Sequence, residues 1–422
     1  MPQPRSSANA RHDWAWRGLA LPAAASAACF LLILLAGQLA VYVPAAWQGA
    51  WAGHIVANQP YFLDRFFPFD AVWYQRIADT GYVWDPAQPT LKQDDAFFPL
   101  WPLLLRLVSA SVPAHAVRGT VVVLAAGFAV ASVSAFGVLA RRVLPAQDAR
   151  TATLLFAFYP AASFLLLSYP TGLMNLLCIL ALLALMDEQF AAAAACAGLV
   201  TAIGPLGLGT ALTVSTLVAL RAWQDRGGAS LPAWRTVLPV LATCLLSVSG
   251  LALFMLWQLF SLDDAFAFVK AQQAWAMPLP WLQRVPRAAM QILIVPDFAA
   301  ALWELRHAAR AATLMALQAS VETCLNLAAQ GVALVALIAS SRLVCLPVLL
   351  QGVFTMALFI WFHSTSRPGN STLRLTYCIM GMFLGAAWLL RGRPRLAAGA
   401  VAASASLMAG AAFLTAAGYH VV

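Results

Sequence analysis

The amino-acid sequence predicts an all-α, polytopic integral membrane protein of about eleven transmembrane helices with extracytoplasmic loop helices. Three observations carry the membrane prediction. Of 422 residues, 62% are hydrophobic and 10% charged, whereas soluble domains carry about a quarter charged residues. Apolar runs close to the roughly 20 residues needed to cross a bilayer recur along nearly the whole chain. The arginines cluster at the ends of those runs, which is the positive-inside pattern. The formal charge of +9 therefore points to membrane topology and away from nucleic acid, all the more because Lys92 and Lys270 are the sole lysines. The seven cysteines lie in apolar stretches without CxxC or metal-ligand spacing and read as small core residues.

Taken in order, residues 1–18 form a tail expected to be cytoplasmic, with Arg5, Arg11 and Arg17. The apolar run Leu19 to Val43 is longer than a signal-peptide core and reads as a retained first span. Residues 44–95 are too polar to span and form an extracytoplasmic loop. Phe97 to Ser111 is expected to be re-entrant or interfacial. Ala116 to Leu139 returns the chain to Arg141 and Arg142. Two spans follow, Thr151 to Ser168 and Thr171 to Met186, separated at Tyr169-Pro170. The run Phe190 to Leu220 is too long for one span and reads as two helices meeting at Gly204-Pro205, where the proline has no amide donor.

A span from Val237 to Phe260 leads to a second extracytoplasmic segment, 261–318, whose part Met290 to Ala308 reads as an interfacial helix. Thr323 to Ser340 and Leu373 to Leu390 are inward spans ending at Arg342 and at Arg391, Arg393 and Arg395. The loop 363–372 and the C-terminus then lie outside. Residues 19–422 make one transmembrane domain, expected in a bacterial inner membrane.

The polar loops all fall on one side of this topology, and ionisable residues at a membrane edge are costly enough to be functional candidates. From Phe69 to Tyr82 a helix would place Asp70, Trp73, Tyr74 and Ile77 on one face and Arg76 and Asp79 opposite. Such a helix suits the membrane surface, and Asp70 also suits an N-cap. Asp94 and Asp95 precede Phe97, Phe98 and Trp101, an arrangement that fits solvated carboxylates beside an interfacial aromatic belt. Arg367 and Arg374 flank Pro368-Gly369-Asn370-Ser371-Thr372, where a guanidinium suits a phosphate or pyrophosphate or a snorkelling anchor. His363 is a candidate base or ligand. No Walker loop, dinucleotide fingerprint, HExxH or serine-hydrolase elbow occurs in a usable context. No metal ligands are assigned, and a divalent cation is left open.

The block from Phe69 to Pro102 has an aspartate-led helix ending Ile77-Ala78-x-x-Gly81-Tyr82, then acidic residues and Ala96-Phe97-Phe98-Pro99-Leu100-x-Pro102. It resembles the PIG-V family, the GPI mannosyltransferase II type and its bacterial relatives, which are GT-C glycosyltransferases. The likeness extends more loosely through Phe158 to Phe164, Ser168-Tyr169, Gly204-Pro205-Leu206-Gly207 and Ser371 to Tyr377. It implies transfer of mannose or another hexose from a polyprenyl-phosphate sugar to a glycan, lipid or protein acceptor at the outer face, with inversion. By the resemblance Asp70 is the base, Asp95 the acidic position before Ala-Phe-Phe-Pro, and Arg374 the holder of the lipid phosphate. The chain departs from the family pattern twice: Pro170-Thr171-Gly172 replaces Ser-Glu-Ser, and Gly204 replaces an arginine. An acid and a base are lost together, as in a lost ion pair or a changed ligand. A transporter or flippase for a lipid-linked intermediate, for which broken helices are expected, and an inactive family member are the competing readings.

Overall fold

The computed structural model describes residues 7–43, 62–88, 91–225, 233–275, 283, 287, 295–311, 314–363 and 371–419. Within them the chain is helical, and no strand occurs among the described residues. The helices are α1 (Ser7–Leu39), α2 (Ala71–Thr80), α3 (Leu100–Ser111), α4 (Ala114–Val143), α5 (Ala146–Ala157), α6 (Thr171–Met186), α7 (Phe190–Thr201) and α8 (Gly207–Asp225). They continue with α9 (Ala233–Ser247), α10 (Ser249–Leu262), α11 (Ala267–Ala271), α12 (Val295–Ala311), α13 (Leu314–Ser340), α14 (Leu346–His363), α15 (Thr372–Thr376), α16 (Met380–Leu389) and α17 (Pro394–Ala416).

Four stretches are long and apolar enough to cross a bilayer alone: Ala20–Leu39 of α1, α4, Ser320–Leu343 and α17. Helices α9 and α10 supply a fifth candidate, bent by 65°. Five shorter apolar stretches complete the set: α3, α6, α7, Leu346–Phe362 and α16. This is the all-α, multi-pass membrane architecture that the composition requires. How the shorter helices share the membrane thickness decides the number of spans, so these lengths do not fix the figure of eleven.

Helix α4 is the central strut, packed on α1, α5 and α6, while α13 packs on α16, α8 on α14, and α17 on α1. Small residues permit the closest approaches, as expected where helices associate in lipid. A side chain at Gly385 of α16 would collide with the backbone of Ala336 in α13.

Three segments predicted as single spans are broken. The span 151–168 ends as a helix at Ala157 and continues as 3-10 turns over Pro160–Leu165. The reason is Pro160, which lacks an N–H and holds Tyr159 extended at φ −58°, ψ 144°. The span 237–260 bends at Val248, where the Leu251 amide donates to the Thr201 hydroxyl at 3.2 Å. The span 373–390 divides into α15 and α16. At that break Gln351 of α14 donates to the Cys378 carbonyl at 2.8 Å and accepts from the Met380 amide at 3.4 Å. At the second and third breaks a side chain from another helix thus meets backbone groups that the bend releases. The predicted break at Gly204-Pro205 lies where expected, between α7 and α8.

The two ends of the bundle differ in character. At one, arginines at helix ends meet carboxylates: Arg142 with Asp187 at 2.6 Å, Arg221 with Glu188 at 3.5 Å, and Arg391 with Asp148 at 2.7 Å. The other end carries α2, the turns at 94–96 and 160–165, and α15.

Candidate functional site

Helix α2 begins after a constrained turn. Phe69 is buried and left-handed at φ 51°, a conformation that costs a non-glycine residue about 1–2 kcal/mol. The Tyr169 hydroxyl holds this turn by donating to the Pro68 carbonyl at 3.2 Å and accepting from the Asp70 amide at 2.8 Å. Ala71, Tyr74, Ile77 and Ala78 then form the buried face, and Gly81 closes the helix at φ 84°. The face agrees with the sequence reading, with Arg76 and Asp79 exposed.

The cap reading of Asp70 fails. Its carboxylate makes no capping bond and instead receives Arg374 Nη1 at 2.6 Å, joining positions 304 residues apart. Both side chains are partly exposed, 26% for Asp70 and 21% for Arg374, so solvent can reach the pair. The guanidinium also lies over the rings of Tyr169 and Phe164, 5.3 and 5.6 Å from their centroids, a favourable placement for a cation. Helix α15 presents Arg374 after Ser371, which is left-handed at φ 53°. The α15 start is fixed by the Leu373 amide donating to Asn326 Oδ1 at 3.1 Å.

Tyr74 meets Tyr169 and Phe97 edge-on, and Trp73 stacks on Phe97 at 5.7 Å. Through Phe97 the helix is tied to the turn Asp94–Ala96. Arg76 reaches Asp94 at 3.5 Å and lies over Trp73.

The expectation that Asp94 and Asp95 are solvated is corrected. They are 1% and 0% exposed, covered from the other side by α11, whose neighbour Gln272 donates to the Ala96 carbonyl at 2.7 Å. Neither Asp95 oxygen has a hydrogen-bond partner. Burial, followed by the charge of Asp94, pushes the Asp95 carboxyl up to about 7. Burial also raises Asp94, against the opposing pull of Arg76.

A family model for the PIG-V mannosyltransferases matches residues 49–283, more than half of the chain. The chain belongs to the PIG-V mannosyltransferase family. Membership makes it a membrane glycosyltransferase. No curated protein matches the chain significantly. The PIG-V match contains Asp70, Trp73, Tyr74, Asp95 and Tyr169, while Arg374 enters the site from beyond it.

Of the predicted site residues, Asp70 and Arg374 are in contact, Tyr74 and Trp73 form the adjoining aromatic wall, and Asp95 lies under that wall. His363 ends α14, but its side chain, like all of Arg367, lies outside the described residues. Among the described residues no three His, Cys, Asp or Glu side chains converge. Sequence reasoning missed Tyr169 and Phe164 as partners of Arg374; the aromatic run flanking Pro160 and Pro170 was the available signal. The two departures from the PIG-V pattern differ physically. A Cβ at Gly172 lies 3.2 Å from the Ala129 amide nitrogen of α4, so the small residue serves helix packing. A Cβ at Gly204 meets nothing within 4 Å.

Proposed function

We propose that this PIG-V member transfers a mannosyl group from a polyprenyl-phosphate donor to an acceptor hydroxyl at the extracytoplasmic face of a bacterial inner membrane. The contact between Asp70 and Arg374 carries this reading. It sets a carboxylate base beside a guanidinium suited to a phosphate, in a position solvent can enter.

In the proposed step the acceptor oxygen attacks the anomeric carbon from the side opposite the phosphate. The bond from that carbon to the phosphate oxygen breaks, and the configuration inverts. Asp70 takes the hydroxyl proton, and the polyprenyl phosphate leaves with the bonding electron pair. Arg374 stabilises the negative charge that grows on the leaving phosphate. Trp73, half-buried, offers an apolar ring edge to a sugar or prenyl group, and the buried Tyr74 backs the aromatic wall against Tyr169 and Phe97. The Phe97 ring, two residues after the buried Asp95, holds the turn Asp94–Ala96 against Trp73 and Tyr74 of α2.

Substituting Asp70→Asn keeps the shape and removes the base. Transfer by reconstituted protein should fall by about 10²–10⁴, the usual worth of a general base. Unchanged transfer would remove Asp70 from the mechanism. The packing of Gly172 in place of the family's acidic motif keeps an inactive scaffold as second reading; failure to bind any polyprenyl-phosphate sugar would support it.

A further inference from the structure

Tyr169 touches both members of the Asp70–Arg374 pair. Its hydroxyl accepts from the Asp70 amide at 2.8 Å and donates to the Pro68 carbonyl at 3.2 Å, while its ring lies 5.3 Å from the Arg374 guanidinium. The two hydrogen bonds bracket Phe69, whose left-handed backbone is unfavourable without such restraint. Core packing accounts for the ring alone. Tyr169 is 2% exposed and meets Tyr74 and Phe164 edge-on, contacts that a phenylalanine ring makes equally well. The hydroxyl has no part in them.

The backbone that carries this side chain is itself fixed. The Ser168 amide donates to the Phe66 carbonyl at 2.7 Å, and the buried Trp101 donates through Nε1 to the Ser168 carbonyl at 3.2 Å. Pro170 follows and disfavours a helical conformation at Tyr169. The break before α6 therefore delivers the phenol to the turn before α2 in one register.

We infer that Tyr169 is a positioning residue for the reaction, with separate tasks at its two ends: the hydroxyl places the Asp70 carboxylate, and the ring seats the Arg374 guanidinium. Removing the hydroxyl takes away the acceptor of the Asp70 amide and one restraint on Phe69, so the carboxylate loses its direction. Removing the ring takes away an aromatic face that attracts the cation, so Arg374 loses its seat. The roles of base and phosphate holder rest on the function proposed above; the contacts by which Tyr169 sets the pair do not.

The test compares Tyr169→Phe, which keeps the ring, with Tyr169→Leu, which removes both groups. Transfer is followed in proteoliposomes from a polyprenyl-phosphate mannose to a membrane extract, and binding is followed with farnesyl phosphate in detergent. Rates are expressed per farnesyl phosphate site, so loss of folded protein cancels. Tyr169→Phe should lower kcat about 10–100-fold, with donor KM and farnesyl phosphate affinity unchanged. Tyr169→Leu should in addition weaken farnesyl phosphate binding about fivefold. An unchanged kcat in Tyr169→Phe, or equal farnesyl phosphate affinity in the two variants, would overturn the inference. Thermal unfolding supplies a measurement that needs no activity. The Tm changes of Tyr169→Phe and Asp70→Asn should not add in the double variant, because the hydroxyl acts through the placement of the carboxylate; additive changes would also overturn it. If the unaltered chain transfers no mannose, the proposed function fails and this comparison alone decides the role of Tyr169.

Discussion

Arg374 interacts through a hydrogen bond to a carboxylate and through the faces of two aromatic rings. Lysine keeps the charge but loses the planar stack and the fork of donors. Arg374→Lys should therefore cost roughly 1–2 kcal/mol of transition-state binding, about tenfold in kcat/KM. A variant with unchanged kcat/KM would show that only the charge matters. Asp95 makes a different prediction, about stability. Its carboxyl is raised to about 7 in the fold, against an ordinary value near 4. Between these values the unfolded chain ionises and the folded chain does not. Stability is therefore fully present below about pH 4, falls as pH rises towards 7, and levels off above. Asp95→Asn should flatten that decline in Tm and raise Tm at pH 8; an unaltered Tm profile would exclude Asp95 as its source. Asp70 was legible in the sequence because an aromatic, period-3.6 motif follows it. Its partner was not, because nothing local links positions 304 residues apart. Nor was the burial of Asp95, since α11 comes from a segment about 170 residues further along.

The helices repeat this division between local and distant causes. The break at Gly204-Pro205 was readable because the proline itself forbids a continuous helix. The bends at Val248 and at 377–379 contain no proline, and their released backbone groups are met by Thr201 and Gln351 from other helices. Gln351→Leu should strand the Cys378 carbonyl and Met380 amide and destabilise the protein by about 1–3 kcal/mol. Thermal unfolding in detergent measures this, and an unchanged Tm would mean the bend is held by packing alone. Gly385→Leu should be more severe, since even a Cβ there meets the Ala336 backbone. Its expected readout is loss of folded, monodisperse protein.

Across the whole molecule, the Arg142–Asp187, Arg221–Glu188 and Arg391–Asp148 pairs lie at one end, and the aromatic site with its own Asp70–Arg374 and Arg76–Asp94 pairs at the other. The first three pairs are partly exposed, so each contributes at most about 1 kcal/mol. In the proposed topology their larger role is to fix orientation, because arginine-rich ends stay cytoplasmic. In a background without reactive native cysteines, Val72→Cys should react with an impermeant thiol reagent from outside and Arg393→Cys only after the membrane is opened. Labelling of both from one side would refute the proposed topology. The link between Asp70 and Arg374 also bears on biosynthesis. As the ribosome feeds the chain into the membrane, the carboxylate emerges early and its guanidinium partner only after α14 has been inserted. A nascent or truncated chain lacking α15 has no assembled centre, so the enzyme should stay inert until α15 has been made and inserted.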